Sequence, residues 1–275
     1  MCGFLLVRIH ILVYNGKNDF RGTGGNTITL EQFFAENREV AVAFSGGVDS
    51  AYLLYAAKRY AARVKAYYVS TVFQPAFELE DARRLANELG ADMQVLHVDV
   101  LMSGAVVENP PDRCYHCKNT LFRQILRAAE SDGFALLLDG TNASDDAGDR
   151  PGMRALRELS VRSPLRECGL TKAEIRRLSR EAGLFTWDKP AYACLATRIR
   201  TGEEITLQKL RQTEKAEGFL FGLGFRDFRV RMVGNTAKLE LRETDLPLLL
   251  ENREKIVTEL RKDYDSVMLN LEVRK

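Results

Sequence analysis

The sequence has no apolar run as long as a membrane-spanning helix requires. Its first residues, Met1 to Arg8, are apolar but lack a basic leading region and a small-residue cleavage site, so they do not fit a signal peptide. These absences predict a cytoplasmic protein with no membrane partner.

An excess of charge of either sign is also missing. Forty Lys and Arg stand against 38 Asp and Glu, a net charge of +2, so bulk charge argues neither for nor against a nucleic-acid partner. The chain is 45% hydrophobic over 275 residues, which is enough to bury a sizeable core in one large domain or two small ones.

The cysteine count argues against a disulfide framework. The chain is not small and holds an odd number of cysteines, namely Cys2, Cys114, Cys117, Cys168 and Cys194. Metal or catalytic roles therefore gain weight. Cys2 and Cys168 have no partner at motif spacing, so we interpret them as structural.

The hydrophobic pattern divides the chain into three parts. Residues 1–28 are poorly patterned, residues 29–198 alternate strands with helices, and residues 199–275 follow the order helix, strand, strand, helix, strand. The middle part predicts an α/β fold, a parallel twisted sheet with helices on both faces, and the last part a small α+β domain. The predicted strands are 40–44, 64–70, 93–98, 135–138, 227–233, 236–242 and 267–273, and the predicted helices are 29–37, 49–60, 78–89, 118–131, 171–182, 206–221 and 246–262.

A glycine-rich turn follows the first strand. Two glycines, Gly46 and Gly47, let the backbone turn tightly between Ser45 and Ser50. The following helix points free N–H groups and its positive dipole end at this turn, which favours a bound phosphate. No Gly-Lys-Ser/Thr follows, so this is not the P-loop of kinases and GTPases. The alternative is an ordinary strand-to-helix turn.

The segment SGGVDS resembles the pyrophosphate loop of the PP-loop (N-type) ATP pyrophosphatases. That resemblance implies an adenine nucleotide α-hydrolase-like fold and cleavage of ATP between its α- and β-phosphates, with AMP going to the substrate. It also implies a Mg²⁺ ion held by Asp49 and adenine beside Ser70 and Thr71.

The segment after the fourth predicted strand lies at the same edge of the sheet, where ligands bind in open α/β folds. We predict that its polar residues contribute to ATP binding. They are Gly140, Thr141, Asn142, Asp145 and Arg150.

Three cysteines form a second constellation. Cys114 and Cys117 make one CxxC motif, and Cys194 comes much later in KPAYACLATR. Three thiolates fit a [4Fe–4S] cluster with one free iron, whereas His116 as a fourth ligand would give a structural zinc site. Two unpaired thiols without a metal are the remaining interpretation.

The motifs SGGVDS, NPPDRCYHCK, DGTNASDDAGDRPGMRALRE, SPLRE and KPAYACLATRI together resemble the LarE family from about Thr29 to the C-terminus. The resemblance implies an ATP-dependent sulfur transferase that adenylates a carboxylate of pyridinium-3,5-biscarboxylic acid mononucleotide and replaces AMP with sulfur. The CxxC motif implies the branch in which a [4Fe–4S] cluster delivers the sulfur from a sulfide source. In another branch a single cysteine, here Cys194, sacrifices its own sulfur.

The resemblance also assigns the substrate phosphate to Arg198, Arg229 and Arg231, with Glu217 and Glu240 close by. Alternating arginines share one face of a strand, so both Arg229 and Arg231 could reach one ligand. A homo-oligomer, a trimer or hexamer, is implied as well.

Three other functions stay open. A tRNA thiolase shares the PP-loop and often three cysteines, but the sequence shows no RNA-binding module and no strong basic excess. Amide-forming relatives such as GMP or NAD synthetases do not need the cysteines. An ATP-binding regulator with structural zinc would bind nucleotide without releasing pyrophosphate.

Overall fold

Two sheets organise the computed structural model, which describes residues 28–145 and 151–274. The strands are β1 (Glu39–Ala43), β2 (Arg63–Ser70), β3 (Asp92–His97), β4 (Leu137–Leu138), β5 (Arg229–Val233), β6 (Thr236–Glu240) and β7 (Ser266–Leu269). The helices are α1 (Leu30–Glu36), α2 (Val48–Tyr60), α3 (Ala76–Glu88), α4 (Gly104–Val107), α5 (Arg113–Ser131), α6 (Pro151–Glu158), α7 (Pro164–Glu167), α8 (Lys172–Glu181), α9 (Leu207–Gly222), α10 (Leu246–Glu251) and α11 (Arg253–Leu260). None of the helices in these ranges is long and apolar enough to span a membrane.

The first sheet has the order β3-β2-β1-β4, and all its pairings are parallel. Its two faces enter two different cores because successive side chains of a strand point to opposite sides. Val40 and Val42 pack with α1 and α2 in one core, whereas Ala41 packs with Ile125 of α5 in another. The predicted parallel α/β sheet with helices on both faces is confirmed.

Two elements of this half differ from the prediction. The helix expected from residue 118 begins at Arg113, so the CxxC motif lies in its first turns rather than in a loop. The fourth strand has only two residues, Leu137 and Leu138. It pairs with β1 on one side and forms a single bridge to Arg162 on the other.

The second sheet, β5-β6-β7, is antiparallel between β5 and β6 and parallel between β6 and β7. The helix predicted over residues 246–262 is broken at Asn252 into α10 and α11. The hydrophobic core of this sheet also takes in Phe73, Val100 and Leu195 from the first half of the chain. Residues 199–274 therefore pack against the parallel sheet's loops, and the domain boundary at 198/199 stays a prediction.

A buried ion pair fixes this junction. The side chains of Arg198 and Glu217 are 1% and 2% exposed, and Arg198 Nε lies 2.8 Å from Glu217 Oε1. Glu217 also accepts hydrogen bonds from the Val230 amide at 2.9 Å and from the Tyr192 hydroxyl. One carboxylate thus joins α9, β5 and the segment that carries Cys194.

Removing one partner of this pair should be costly, since it leaves a buried charge uncompensated. We expect Glu217→Ala to lower the free energy of unfolding by about 3–5 kcal/mol, and the double variant Arg198→Met/Glu217→Leu to lower it by less. Urea denaturation of the three proteins tests this. If the double variant is as unstable as Glu217→Ala, the loss of free energy of unfolding does not come from leaving Arg198 buried without a partner.

Candidate active site

The loop from Ser45 to Ser50 joins β1 to α2 at the carboxyl edge of the parallel sheet. Gly46 has φ +72°, and a Cβ there would lie 3.2 Å from Cβ of Ala82 on α3, so both the conformation and the space require glycine. The hydroxyls of Ser45 and Ser50 are 3.0 Å apart, beside the N-terminus of α2. Backbone N–H groups and hydroxyls at a helix N-terminus make this turn an anion site.

The segment after β4 packs directly against this loop. A Cβ on Gly140 would lie 2.8 Å from the Ser50 nitrogen, which is closer than Cβ atoms come to other heavy atoms. Asp139 accepts hydrogen bonds from the hydroxyls of Thr141 and Ser163, and the Asn142 amide donates to Asp145 Oδ2 at 2.9 Å. These contacts hold four of the five predicted residues of the segment at the sheet edge; Arg150 lies outside the described residues.

The residues predicted to lie beside adenine are at the end of β2. Ser70 is the last residue of that strand. Thr71 donates to Gln74 Oε1 through its amide at 3.0 Å and its hydroxyl at 2.6 Å. Shortly afterwards the carbonyl of Phe73 accepts a hydrogen bond from the Leu195 amide at 2.8 Å. The exit of β2 is thereby joined to the segment that contains Cys194.

Asp49 has one free carboxylate oxygen. Its Oδ2 lies 2.5 Å from Lys172 Nζ, while Oδ1 is buried without a hydrogen-bond partner in the part of the chain that the structure describes. Burial raises the pKa of this carboxyl, although Lys172 opposes the shift. A buried, unsatisfied carboxylate oxygen beside a phosphate loop fits a cation ligand.

Two lysines at this loop were not assigned a role from the sequence. Lys172 is the first residue of α8, next to the capping box that Thr171 forms with Glu174. Its position in the sequence therefore indicates a helix start and not a contact with the loop. Lys189 Nζ lies 2.7 Å from Asp81 Oδ2 and donates to the Gly46 carbonyl at 3.5 Å. Only its place in the KPAYAC motif, shared with Cys194, could have signalled this contact.

Arg113 brings two cysteines of the constellation together. Its Nη2 lies 3.7 Å from Cys114 Sγ and 3.9 Å from Cys194 Sγ. Cys114 is exposed, whereas burial raises the pKa of Cys117 to about 12 and also raises the pKa of Cys194, with the other thiols of the group contributing to both shifts.

The neighbouring thiols and His116 are the candidate metal ligands of this site. Among residues 28–145 and 151–274, no group of three or more His, Cys, Asp or Glu side chains is arranged to hold a metal ion. His116, the alternative fourth ligand, lies 3.3 Å from Asp112 in an i,i+4 pair. Cys168 packs against the core of α1 and α2.

Two cavities lie on either side of Arg198, which lines both. The arginine–aromatic pocket, about 380 Å³, is bordered by Phe77, Tyr192, Phe228, Arg229 and Arg274. Lys189, which also contacts the phosphate loop, lines this pocket as well.

The cysteine-side pocket, about 450 Å³, is bordered by Arg113, Cys114, Arg200, Arg231 and Lys238. Arg229 and Arg231 share one face of β5 but line different cavities.

The three predicted phosphate-binding arginines are in different states. Arg229 has no ion-pair partner among the described residues, and burial together with Arg274, Arg198 and Arg231 lowers its pKa. Arg231 is paired with Glu240 at 2.8 Å and donates to the Thr197 carbonyl at 2.7 Å. Arg198 is bound by Glu217, and its contact with a substrate phosphate stays a prediction.

Comparison with known proteins agrees with this site. The family model of asparagine synthase matches residues 31–141. The pyridinium-3,5-bisthiocarboxylic acid mononucleotide synthase of Lactiplantibacillus plantarum is 34% identical over 78% of this chain and 79% of its own length. An uncharacterized protein of Synechocystis is 38% identical over 77% of this chain. An uncharacterized protein of Methanocaldococcus jannaschii is 30% identical over 86% of this chain. The tRNA-specific 2-thiouridylase of Thermotoga maritima is 26% identical over 53% of this chain and 52% of its own.

The parallel sheet and the SGGVDS loop at its edge define an enzyme of the PP-loop ATP pyrophosphatase class. Within that class, the chain belongs to the LarE family of ATP-dependent sulfur transferases.

Adding a methyl group at Gly140 should displace the start of α2, since the new Cβ would lie 2.8 Å from the Ser50 nitrogen and 3.1 Å from its Cα. We expect Gly140→Ala to cost about 1–3 kcal/mol in the free energy of unfolding and to weaken ATP binding. Denaturant unfolding and calorimetric titration with ATP measure the two effects. Gly104→Ala, where a Cβ meets nothing within 4 Å, is the matched control and should leave ATP binding intact.

Glu78 on α3 should make stability depend on pH. Burial raises its pKa from 4.5 to about 7, against the opposing charge of Lys189. Between these values the folded chain holds the proton and the unfolded chain releases it, so the free energy of unfolding falls as pH rises. Glu78→Gln should remove this part of the decline. Urea denaturation of both proteins from pH 4 to pH 8 is the test, and parallel curves would contradict the assignment.

Proposed function

We propose that this enzyme adenylates a carboxylate of pyridinium-3,5-biscarboxylic acid mononucleotide and replaces AMP with sulfur, forming the thiocarboxylate. The observation that carries the proposal is the path of residues 189–198. This segment contacts the phosphate loop through Lys189, the end of β2 through Leu195 and the cysteine constellation through Cys194. Activation by ATP and delivery of sulfur therefore meet along one stretch of chain.

ATP fits the carboxyl edge of the parallel sheet. The loop from Ser45 to Ser50 would hold the β- and γ-phosphates, and Ser70 and Thr71 would lie beside adenine. Asp49, with its unsatisfied Oδ1, would hold Mg²⁺, which neutralises charge on the leaving pyrophosphate. Lys172 and Lys189 add positive charge on two sides of the loop.

The acceptor fits the arginine–aromatic pocket. The rings of Phe77 and Tyr192, 5.4 Å apart, border the cavity, and aromatic faces attract a cationic pyridinium ring. Arg229, which lacks an ion-pair partner among the described residues, is free to pair with the phosphate of the mononucleotide. Arg231 lines the other cavity and is held by Glu240 and the Thr197 carbonyl, so its contact with the substrate phosphate stays a prediction.

Both chemical steps are substitutions. A carboxylate oxygen of the acceptor attacks the α-phosphorus of ATP, and the bond to the bridging oxygen breaks as pyrophosphate leaves with the electron pair. A sulfur nucleophile then attacks the acyl carbon, and the bond to the AMP oxygen breaks. Hydrosulfide as nucleophile gives thiocarboxylate and AMP, and releases one proton.

Three thiols in one neighbourhood are the donor set of a site-differentiated [4Fe–4S] cluster. Cys114, Cys117 and Cys194 would hold it, with Arg113 between two of them. When bound, the cluster supplies sulfur-carrying chemistry through the iron that no protein ligand occupies. The alternative is that Cys194 donates its own sulfur.

Pyrophosphate release tests the first step. We expect wild-type protein to release pyrophosphate from ATP only when the pyridinium dicarboxylate is present, and Asp49→Asn to be slower by on the order of 10²-fold because the metal ligand is weakened. Cys114→Ser should retain pyrophosphate release but lose thiocarboxylate formation. Release that does not depend on the acceptor, or that requires tRNA, would contradict the proposed acceptor.

Two measurements separate the sulfur routes. Anaerobic purification should give a brown protein with about four irons per chain, and this iron should be lost in Cys114→Ser. Sacrifice of Cys194 would instead leave that residue lighter by one H₂S after turnover, as seen by mass spectrometry of its peptide.

A further inference from the structure

The cysteine-side pocket is unusual in its charge. Five cationic side chains line its 450 Å³, namely Arg113, Arg198, Arg200, Arg231 and Lys238, and no Asp or Glu lines it. Concave surfaces lined by one sign of charge concentrate ions of the opposite sign. The lining also contains no aromatic ring, so it offers a nucleobase nothing to stack on.

After Arg198, Arg113 is the most buried of these cations. It is only 7% exposed, and its hydrogen-bond partners are Asn109 Oδ1 at 3.1 Å and the sulfurs of Cys114 and Cys194. It makes no ion pair with a carboxylate within residues 28–145 and 151–274. Buried charges are usually paired with a charge of opposite sign. A thiolate or another anion close to the two sulfurs would therefore stabilise this guanidinium.

The outer part of the pocket adds unpaired charge. Lys238 lies directly opposite Arg231 in the β5–β6 ladder, and like charges in that position repel. Glu240 pairs with Arg231, whereas Lys238 and the exposed Arg200 make no ion pair within the part of the chain that the structure describes. These unpaired cations thus line the same pocket as Arg113 and the exposed Cys114.

We propose that the cysteine-side pocket is a small-anion site through which the anionic sulfur donor, hydrosulfide, reaches Cys114. This inference rests on the proposed sulfur transfer and adds its entry route. The donor and the mononucleotide would approach from opposite sides of Arg198, because the aromatic rings and Arg229 line only the other cavity. Separate entries would let sulfur reach the thiols while the acceptor occupies its own pocket.

Alkylation of Cys114 tests the site without turnover. The probes are iodoacetate, an anion, and iodoacetamide, its neutral counterpart, used on full-length protein with reduced, metal-free thiols. The rate at Cys114 is followed by peptide mass spectrometry. The ratio of the two rates is independent of how much thiolate is present, so it reports the local attraction of anions.

We expect the ratio to fall by about tenfold in Arg200→Gln/Lys238→Gln. High salt should lower the wild-type ratio in the same way, because it screens exposed charges. Arg211→Gln/Lys255→Gln, which removes two exposed cations outside the pocket, is the matched control and should behave like wild type. An unchanged ratio in the pocket variant would overturn the proposal.

A kinetic measurement tests whether the pocket serves sulfur transfer. In thiocarboxylate formation, the pocket variant should need a higher sulfide concentration for half-maximal rate, with the KM for ATP unchanged. An equal rise in both would refute a dedicated sulfide entry. If pyrophosphate release fails but the alkylation ratio responds as expected, the anion site stands and the proposed acceptor does not.

Discussion

The buried contact between Arg198 and Glu217 is the interaction on which the site depends. It holds the segment that carries Cys194 against α9 and β5, and it positions Arg198 so that its side chain lines both cavities. Desolvating both charges is costly, and the additional hydrogen bonds from Tyr192 and Val230 offset part of that cost. The contact acts together with the hydrophobic core that the second sheet shares with Phe73, Val100 and Leu195.

Unbalanced positive charge is the second constraint. Arg113, Arg229 and Lys238 make no carboxylate ion pair within the described residues, although the chain as a whole is nearly neutral. Such charges weaken the fold and strengthen the binding of anions. Phosphates, carboxylates and sulfur anions are the species that the proposed chemistry handles, so the uncompensated charge lies where it can bind them.

The first strand and the phosphate loop were predictable because short sequence patterns encode them. The apolar run of β1 and the glycines of the phosphate loop have one plausible structure, a buried strand entering a helix, and Gly46 has the positive φ that such a turn needs. The start of α5 was predicted wrongly at residue 118. The helix begins at Arg113, directly after Pro110, Pro111 and Asp112, since proline is tolerated just before the first turn. Long-range contacts were not readable: neither the pairing of Lys172 with Asp49 nor the division of Arg229 and Arg231 between two cavities has a local signature.

The sequence by itself determined the parallel sheet and the phosphate loop at its edge, and it predicted the reactive side chains. Strand periodicity and glycine conformation act over a few residues and leave a pattern in the chain. Only the tertiary structure decided that Lys189 reaches Gly46, that Arg113 lies between Cys114 and Cys194, and that Arg198 separates two pockets. These contacts join residues up to 143 positions apart, and their partners are selected by packing and buried charge, which no short stretch of sequence encodes.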